Sequence, residues 1–170
     1  MNHIIETERL FLRELTVDDA ENFYRLNLNP NVIRSTGDDV FKDVEEARLF
    51  LENYNDYKRN GFGRWAVIRK SDNVFLGWCG LKYSNDLDET DIGFRFFEEH
   101  WHKGYATESA MACIEYGFQH LGQTFIIGRD MKDNISSIRV LEKIGLTYLK
   151  AFDSDGHAGV IYVCRDRDLK

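Results

Sequence analysis

His100-Trp101-His102-Lys103-Gly104-Tyr105-Ala106-Thr107-Glu108-Ser109-Ala110, HWHKGYATESA, sets a cationic, glycine-containing turn directly before a segment of helical periodicity. Gly104 permits tight backbone geometry, the turn and first helical residues leave several N–H groups without intrahelical partners, and Thr107 adds a hydroxyl donor. The helix dipole adds positive potential at the same end, so the pattern suits a pyrophosphate held mainly by main-chain groups. Ala106, Ala110, Ile114, Gly117, Phe118 and Leu121 fall on one side at helical spacing, and Gly122 supplies the stop. Upstream, Thr90 to Phe97 alternates as a strand does, with Gly93 a bulge or a point of close backbone approach. The unit is strand, phosphate turn, helix. The competing reading is a glycine turn without a ligand, because such turns are common before helices.

Outward from that unit the chain shows no internal repeat, low-complexity segment or long linker, and its single proline is Pro30. Leu10 to Arg13 reads as a strand, and Thr16-Val17-Asp18-Asp19 is a capping-box start for a helix through about Leu28. Val32 to Phe41 reads as a loop. Asp43 caps a second helix with Ala47, Phe50, Leu51 and Tyr54 on its apolar side and Gly61 beyond its end. Trp65 to Ile68 and Phe75 to Tyr83 are strands joined by Ser71-Asp72-Asn73. After the phosphate helix come a strand at Phe125 to Ile127, a helix from Ser136 to Lys143, and a terminal pair, Leu146 to Phe152 and Val160 to Cys164, around Asp155-Gly156. The order β-α-α-β-β-β-α-β-α-β-β predicts a single mixed sheet with helices on both faces.

At 170 residues the chain is of single-domain size, enough to bury roughly 70% of its unfolded surface. No apolar run approaches a membrane span, and the polar start Met1-Asn2-His3 is not that of a secretory signal, which points to the cytoplasm. Cys79, Cys113 and Cys164 are scattered through apolar patterns and read as buried thiols. A net charge of −7 argues against general nucleic-acid binding, which needs a basic face, and suits either plain solubility or cationic acceptors. His100 and His102 form an H-x-H pattern with no third ligand nearby, so no metal site is expected.

Asp91-Ile92-Gly93-Phe94, followed by Trp101-His102-Lys103-Gly104-Tyr105-Ala106-Thr107-Glu108, resembles the acetyl-CoA signature of the GNAT N-acetyltransferase superfamily, and within it the RimJ/RimL-like branch of ribosomal-protein N-terminal acetyltransferases. Asn134-Ile135-Ser136-Ser137, running to Glu142-Lys143-Ile144-Gly145-Leu146, resembles that family's Asn-x-x-Ser helix ending in Lys-x-Gly-Phe, with leucine in place of phenylalanine. Thr7-Glu8-Arg9-Leu10-Phe11-Leu12-Arg13 resembles the first strand of the same branch. The resemblance implies an α/β (α+β) acyl-CoA N-acyltransferase fold over residues 1–170, mostly antiparallel and splayed at its centre, with acetyl-CoA as co-substrate. It implies direct acetyl transfer to a primary amine in a monomer or homodimer, with a protein N-terminal α-amine first among acceptors. Small amines, polyamines and antibiotics stay open, as does a CoA-binding sensor that has lost turnover.

The chemistry needs a neutral amine, a carbonyl held beside it and a stabilised oxyanion. A backbone N–H at a bulge near Gly93 and Phe94 would meet the thioester oxygen, while main-chain groups of Arg95 and Phe96 would pair with pantetheine as another strand would. His102, Lys103, Gly104, Tyr105, Ala106 and Thr107 would receive phosphate, and the Asn134 amide the pantetheine arm, unless it only caps its helix. Asp91 matches the position where the family commonly has glutamate, which makes it the candidate general base, with Glu89 on the same face as the alternative. Many superfamily members place an acidic tyrosine where this chain has Leu141. Ser137 is then the candidate proton donor to the thiolate, against a role as helix cap or pantetheine contact. The resemblance assigns the acceptor side to 32–41, 61–65 and 153–159, where Asp38 and Asp39 would either bind a cationic amine or only shape a turn.

Overall fold

Because Asn73 takes a left-handed backbone (φ 58°) and Asp72 is gripped by the Arg69 guanidinium, the Ser71-Asp72-Asn73 connection folds the chain's central hairpin. The hairpin belongs to a computed structural model that describes residues 2–34, 36 and 38–168. Its strands are β3 (Arg64–Arg69) and β4 (Val74–Ser84). Before them come β1 (Ile5–Glu6), β2 (Leu10–Glu14), α1 (Ala20–Leu26), α2 (Pro30–Ile33), α3 (Val44–Glu52) and α4 (Asp56–Asn60). After them come β5 (Glu89–Phe96), α5 (Tyr105–His120), β6 (Phe125–Met131), α6 (Ile135–Lys143), β7 (Thr147–Ser154) and β8 (His157–Arg165).

Among the described residues the strands form one eight-stranded sheet in the order β1-β2-β3-β4-β5-β6-β8-β7. Every neighbouring pair is antiparallel except β5 and β6, which run parallel and pair only at Asp91 and Ile127. Beyond that point the two strands part. The expected splayed centre is therefore present, and it opens towards the C-terminal ends of β5 and β6.

The local signals act as the sequence predicts. Thr16 and Asp19 close a capping box, and the Asp43 carboxylate accepts from the Glu46 N–H to start α3. Leu15, Ala20, Phe23 and Leu51 pack against Ala66, Ile68 and Phe75 on one face of the sheet. On the other face Ala110, Cys113 and Ile114 of α5 and Leu141 of α6 pack against Trp65, Leu81, Ile92 and Ile126.

β1 and α4 are additional to the elements read from the sequence, the second helix stops at Glu52, before Tyr54, and three further details differ. The first helix ends at Leu26, short of Leu28, and the expected loop 32–41 begins inside the short helix α2, where Asn29 caps and Pro30 starts the turn. Ser35 and Gly37 of that loop lie outside the described residues. The bulge expected near Gly93 is elsewhere: β4 and β5 stay in register from Gly77↔Phe96 to Ser84↔Glu89, and the extra residue is Leu76, between the β3 partners Val67↔Gly77 and Ile68↔Phe75. Gly93 serves close approach instead. A Cβ there would stand 2.7 Å from the Arg64 guanidinium.

Leu141 fits because of another glycine. A Cβ on Gly128 would meet both Leu141 methyl carbons at 2.8 Å. We expect Gly128→Ala to cost about 1–3 kcal/mol by overpacking and Leu141→Ala about 2–5 kcal/mol by cavity formation. The double variant should fall short of their sum by about 1 kcal/mol, because each change relieves the other. Urea midpoints of the four proteins measure this coupling.

Candidate active site

The turn before α5 is shaped by two left-handed residues, His102 (φ 62°) and Gly104 (φ 83°). Helical bonding starts only with the Glu108 N–H to the Gly104 carbonyl, at 3.0 Å, and no side chain caps the helix. The N–H groups of residues 105–107 are therefore available to an anion, in the field of a 16-residue helix. The Trp101 indole N–H donates to the Phe96 carbonyl at 2.9 Å, which ties the turn to the end of β5.

Glu108 is the turn's anchor. Thr7 Oγ1 donates to it at 2.6 Å, as do the Arg9 main-chain N–H at 3.0 Å and Arg9 Nε at 2.7 Å. Burial opposes its charge, but these donors outweigh it and hold the carboxyl below its ordinary range. Arg9 also donates to the Lys103 carbonyl at 3.0 Å and stacks on the Tyr105 ring at 4.5 Å. Sequence reasoning took Thr7 and Arg9 only for a first strand. Nothing local to either segment signals the contact, which spans 99 residues.

Where β5 and β6 part lies a cleft of about 1150 Å³. It is lined by residues 93–96 of β5, by His100 to His102 and residues 104–107 of the turn, by residues 129–131 of β6, and by the first turns of α6. Phe94, Arg95, Phe96, His102, Gly104, Tyr105, Ala106, Thr107, Asn134 and Ser137 are all brought to this one cavity. Lys103, Asp91 and Glu89 are not among its lining residues. The Arg95 side chain leaves on the other face of the sheet, donating to Asn27 Oδ1 at 2.9 Å and Asp38 Oδ2 at 2.7 Å, where Arg34, Thr36 and Trp78 also border the cleft. Asp38 is thereby engaged with Arg95. Among the described residues no group of three or more His, Cys, Asp or Glu side chains converges as a metal would require.

The candidate bases lie beneath arginines. Arg64 Nη2 donates to Asp91 Oδ1 at 2.7 Å, while its Nη1 donates to the Gly80 and Asp91 carbonyls at 2.8 and 3.2 Å. The other carboxylate oxygen, Asp91 Oδ2, lies 3.8 Å from Arg129 Nη1, an ion-pair distance too long for a hydrogen bond. Arg129 donates directly to Glu89 Oε2. Arg64 was missed in the sequence. Its signal was a lane of glycines: Gly80 and Gly93 face each other across β4 and β5, and Arg64 is the β3 partner of Gly80.

On the opposite wall Ser137 does not cap its helix. Its hydroxyl is 2.8 Å from Asp130 Oδ2, placed to donate. Asn134 occupies the N-cap position of α6 with no side-chain cap bond. Burial pushes the Asp130 carboxyl up to about 7, against the lowering effect of the Ser137 hydroxyl. Asp130 is not legible in the sequence, because nothing local to a half-buried strand aspartate signals its partner on α6.

Residues 9–147 match the acetyltransferase (GNAT) domain family. The chain belongs to the GNAT family of N-acetyltransferases. It is 31% identical over 144 residues to YoaA of Bacillus subtilis (strain 168), an uncharacterized N-acetyltransferase, a match covering 84% of this chain and 81% of YoaA. It is 30% identical over 166 residues to the FsC-acetyl coenzyme A-N(2)-transacetylase of Aspergillus fumigatus, covering 87% of this chain and 66% of that protein. The crystal structure of a GNAT-family acetyltransferase from Bacillus anthracis superposes with a TM-score of 0.84 at 25% identity, covering 96% of this chain and 98% of that one. GNAT acetyltransferases use acetyl-CoA, and the uncapped turn with its main-chain donors fits the pyrophosphate of such a donor.

Acetyl-CoA at 100 times its Kd should stabilise the protein by about 2.7 kcal/mol. Gly104→Glu places a negative side chain at a backbone of φ 83°, where pyrophosphate would lie. Its melting temperature should not respond to acetyl-CoA at all. An unchanged response in a folded variant, measured by calorimetry, would remove the turn from the site.

Proposed function

We propose that this N-acetyltransferase passes acetyl directly from acetyl-CoA to a primary amine, is of the RimJ/RimL-like kind, and takes a protein N-terminal α-amine as its first class of acceptor. The observation that carries the reading is one cleft that joins the uncapped start of α5 to the unpaired edge of β5. The phosphates belong at residues 102–107. Pantetheine then extends along Phe94 to Phe96 as a neighbouring strand would, within reach of the Asn134 amide. These positions put the thioester where the strands part.

Direct transfer follows from the thiols and hydroxyls at hand. Cys79, Cys113 and Cys164 are buried, and Ser137 is paired with a carboxyl rather than with an imidazole. Polyamines fit poorly, because Asp38 is bound to Arg95 while Arg34, Arg129, Arg139 and Lys143 line the cleft. Support for the RimJ/RimL-like kind comes from the lock between Thr7, Arg9 and Glu108, which gives two separate motifs of that branch one physical task. The transacetylase from Aspergillus fumigatus keeps a small-molecule amine as the second reading. Thiol release measured over peptides with unblocked N-termini, small amines and polyamines separates the two, and release with none of them would mark a CoA sensor.

Asp91 is assigned as the base. It stands one pleat nearer to Gly93 than Glu89 does, and its Oδ2 has no hydrogen bond to Arg129, whereas Glu89 accepts one. Asp91→Asn should lower kcat roughly 10²- to 10⁴-fold near neutral pH, with the deficit relative to wild type at the same pH shrinking as pH rises and an undiminished thermal response to acetyl-CoA. Glu89→Gln showing that profile, with Asp91→Asn like wild type, would transfer the role.

A further inference from the structure

We propose that Asp130 and Ser137 form a two-group relay that protonates the departing CoA thiolate. The inference rests on the transferase reading above and adds a catalytic carboxyl to it.

Three observations support the relay. Both side chains line the cleft, on the wall facing the open edge of β5. Strand alternation turns Asp130 towards α6, as it does Gly128 two residues earlier, whose Cα lies under Leu141. Finally, the two oxygens are 2.8 Å apart, so one proton is shared between them.

A hydroxyl has a single hydrogen, and the state of Asp130 decides where it points. With Asp130 ionised, Ser137 donates to it and has nothing to offer sulfur. With Asp130 protonated, the carboxylic acid donates to Ser137 Oγ and the serine hydrogen turns to the cleft. Burial favours the second state near neutral pH, and a bound pantetheine arm would bury the pair further. The other charged and titratable residues lining the cleft are Arg129, Asp133, Arg139 and Lys143 on this side, His100, His102 and Tyr105 in and after the turn, Arg95 on β5 and Arg34 beyond it. The influences that move the Asp130 carboxyl are burial first and the Ser137 hydroxyl second.

The step balances. The amine lone pair forms the C–N bond, the C–S bond breaks, and its electron pair leaves on sulfur. Sulfur takes the Ser137 proton, Ser137 takes the Asp130 proton, and the carboxylate is reprotonated from water before the next turnover. The amine's own proton leaves on the opposite face of the sheet, so one proton passes overall from nitrogen to sulfur. A carboxylic acid titrating near 7 gives its proton downhill to a thiolate, whose conjugate acid titrates at roughly 8.5 in the cysteine reference.

The test combines turnover with a titration that needs no turnover. Wild-type kcat with acetyl-CoA should fall as pH rises through about 7, where Asp130 ionises. Asp130→Asn and Ser137→Ala should each lower kcat roughly 10²-fold on the acid side and lose that fall, while acetyl-CoA still raises their melting temperatures. The double variant should be no slower than Ser137→Ala, because a relay is broken once. In the unliganded protein, ¹³C NMR should show the Asp130 carboxyl titrating near 7, and higher still in Ser137→Ala, which loses the bond that stabilises the carboxylate. If Asp130→Asn does not fold, Ser137→Ala carries the test with the same two readouts. A fall that survives in the variants, additive losses, or a carboxyl titrating near its ordinary value would overturn the relay alone. A wild type that transfers acetyl to no amine would overturn the transferase reading and the relay with it.

Discussion

The parting of β5 from β6 after Asp91↔Ile127 is the constraint on which the site depends. A strand edge inside a sheet leaves N–H and C=O groups that neither water nor protein pairs well, and the same fold leaves the first N–H groups of α5 without acceptors. Both deficits open onto one cleft. A ligand with a diphosphate at one end and amides along its arm satisfies both at once.

Holding that gap open requires both its rims to be fixed. On one rim, Thr7 and Arg9 grip the turn before α5 through Glu108, so the ends of a contact separated by 99 residues set the position of Gly104. Across the strands, Arg129 reaches from β6 to Glu89 and Asp91 on β5, spanning the point where the strands begin to separate. Arg64 lies over Gly80 and Gly93 and holds Asp91 from the β3 side. Ion pairs with both partners half-buried retain more of their strength than exposed ones, so the charge network on this face orients Asp91.

How much of this was legible in the sequence depended on range. Caps, turns and periodicity act within a few residues, and Thr16, Asp43, Gly104 and the hairpin turns have the roles their local chemistry predicts. The left-handed glycine and the uncapped start of α5 were legible for the same reason. The bulge was misplaced because a glycine in a strand has two meanings, and only the β3 register reveals that Gly93 makes room for Arg64. Arg64, Arg129 and Asp130 escaped notice because each acquires its meaning from a partner on another element. A short strand such as β1 carries too little pattern to be read before its partner is known.

The wall formed by β6 and α6 shows why the missing tyrosine and the half-buried aspartate belong to one arrangement. Successive residues on one face of a strand are about 6.7 Å apart, and residues four apart on a helix are separated by about 6 Å, so two rungs of contact can form between the elements. Leu141 stands over Gly128, and Ser137, one turn earlier, stands over Asp130. The first rung is apolar and tight: a glycine is needed beneath the leucine, and no hydroxyl reaches the cleft from there. The second rung must then carry any polar function this wall supplies. A serine alone would meet it weakly, since a neutral hydroxyl is a poor acid at physiological pH. The carboxyl beneath it changes that chemistry, because a half-buried acid pushed up to about 7 still holds a proton near neutrality and gives the serine a source from which its own can be replaced.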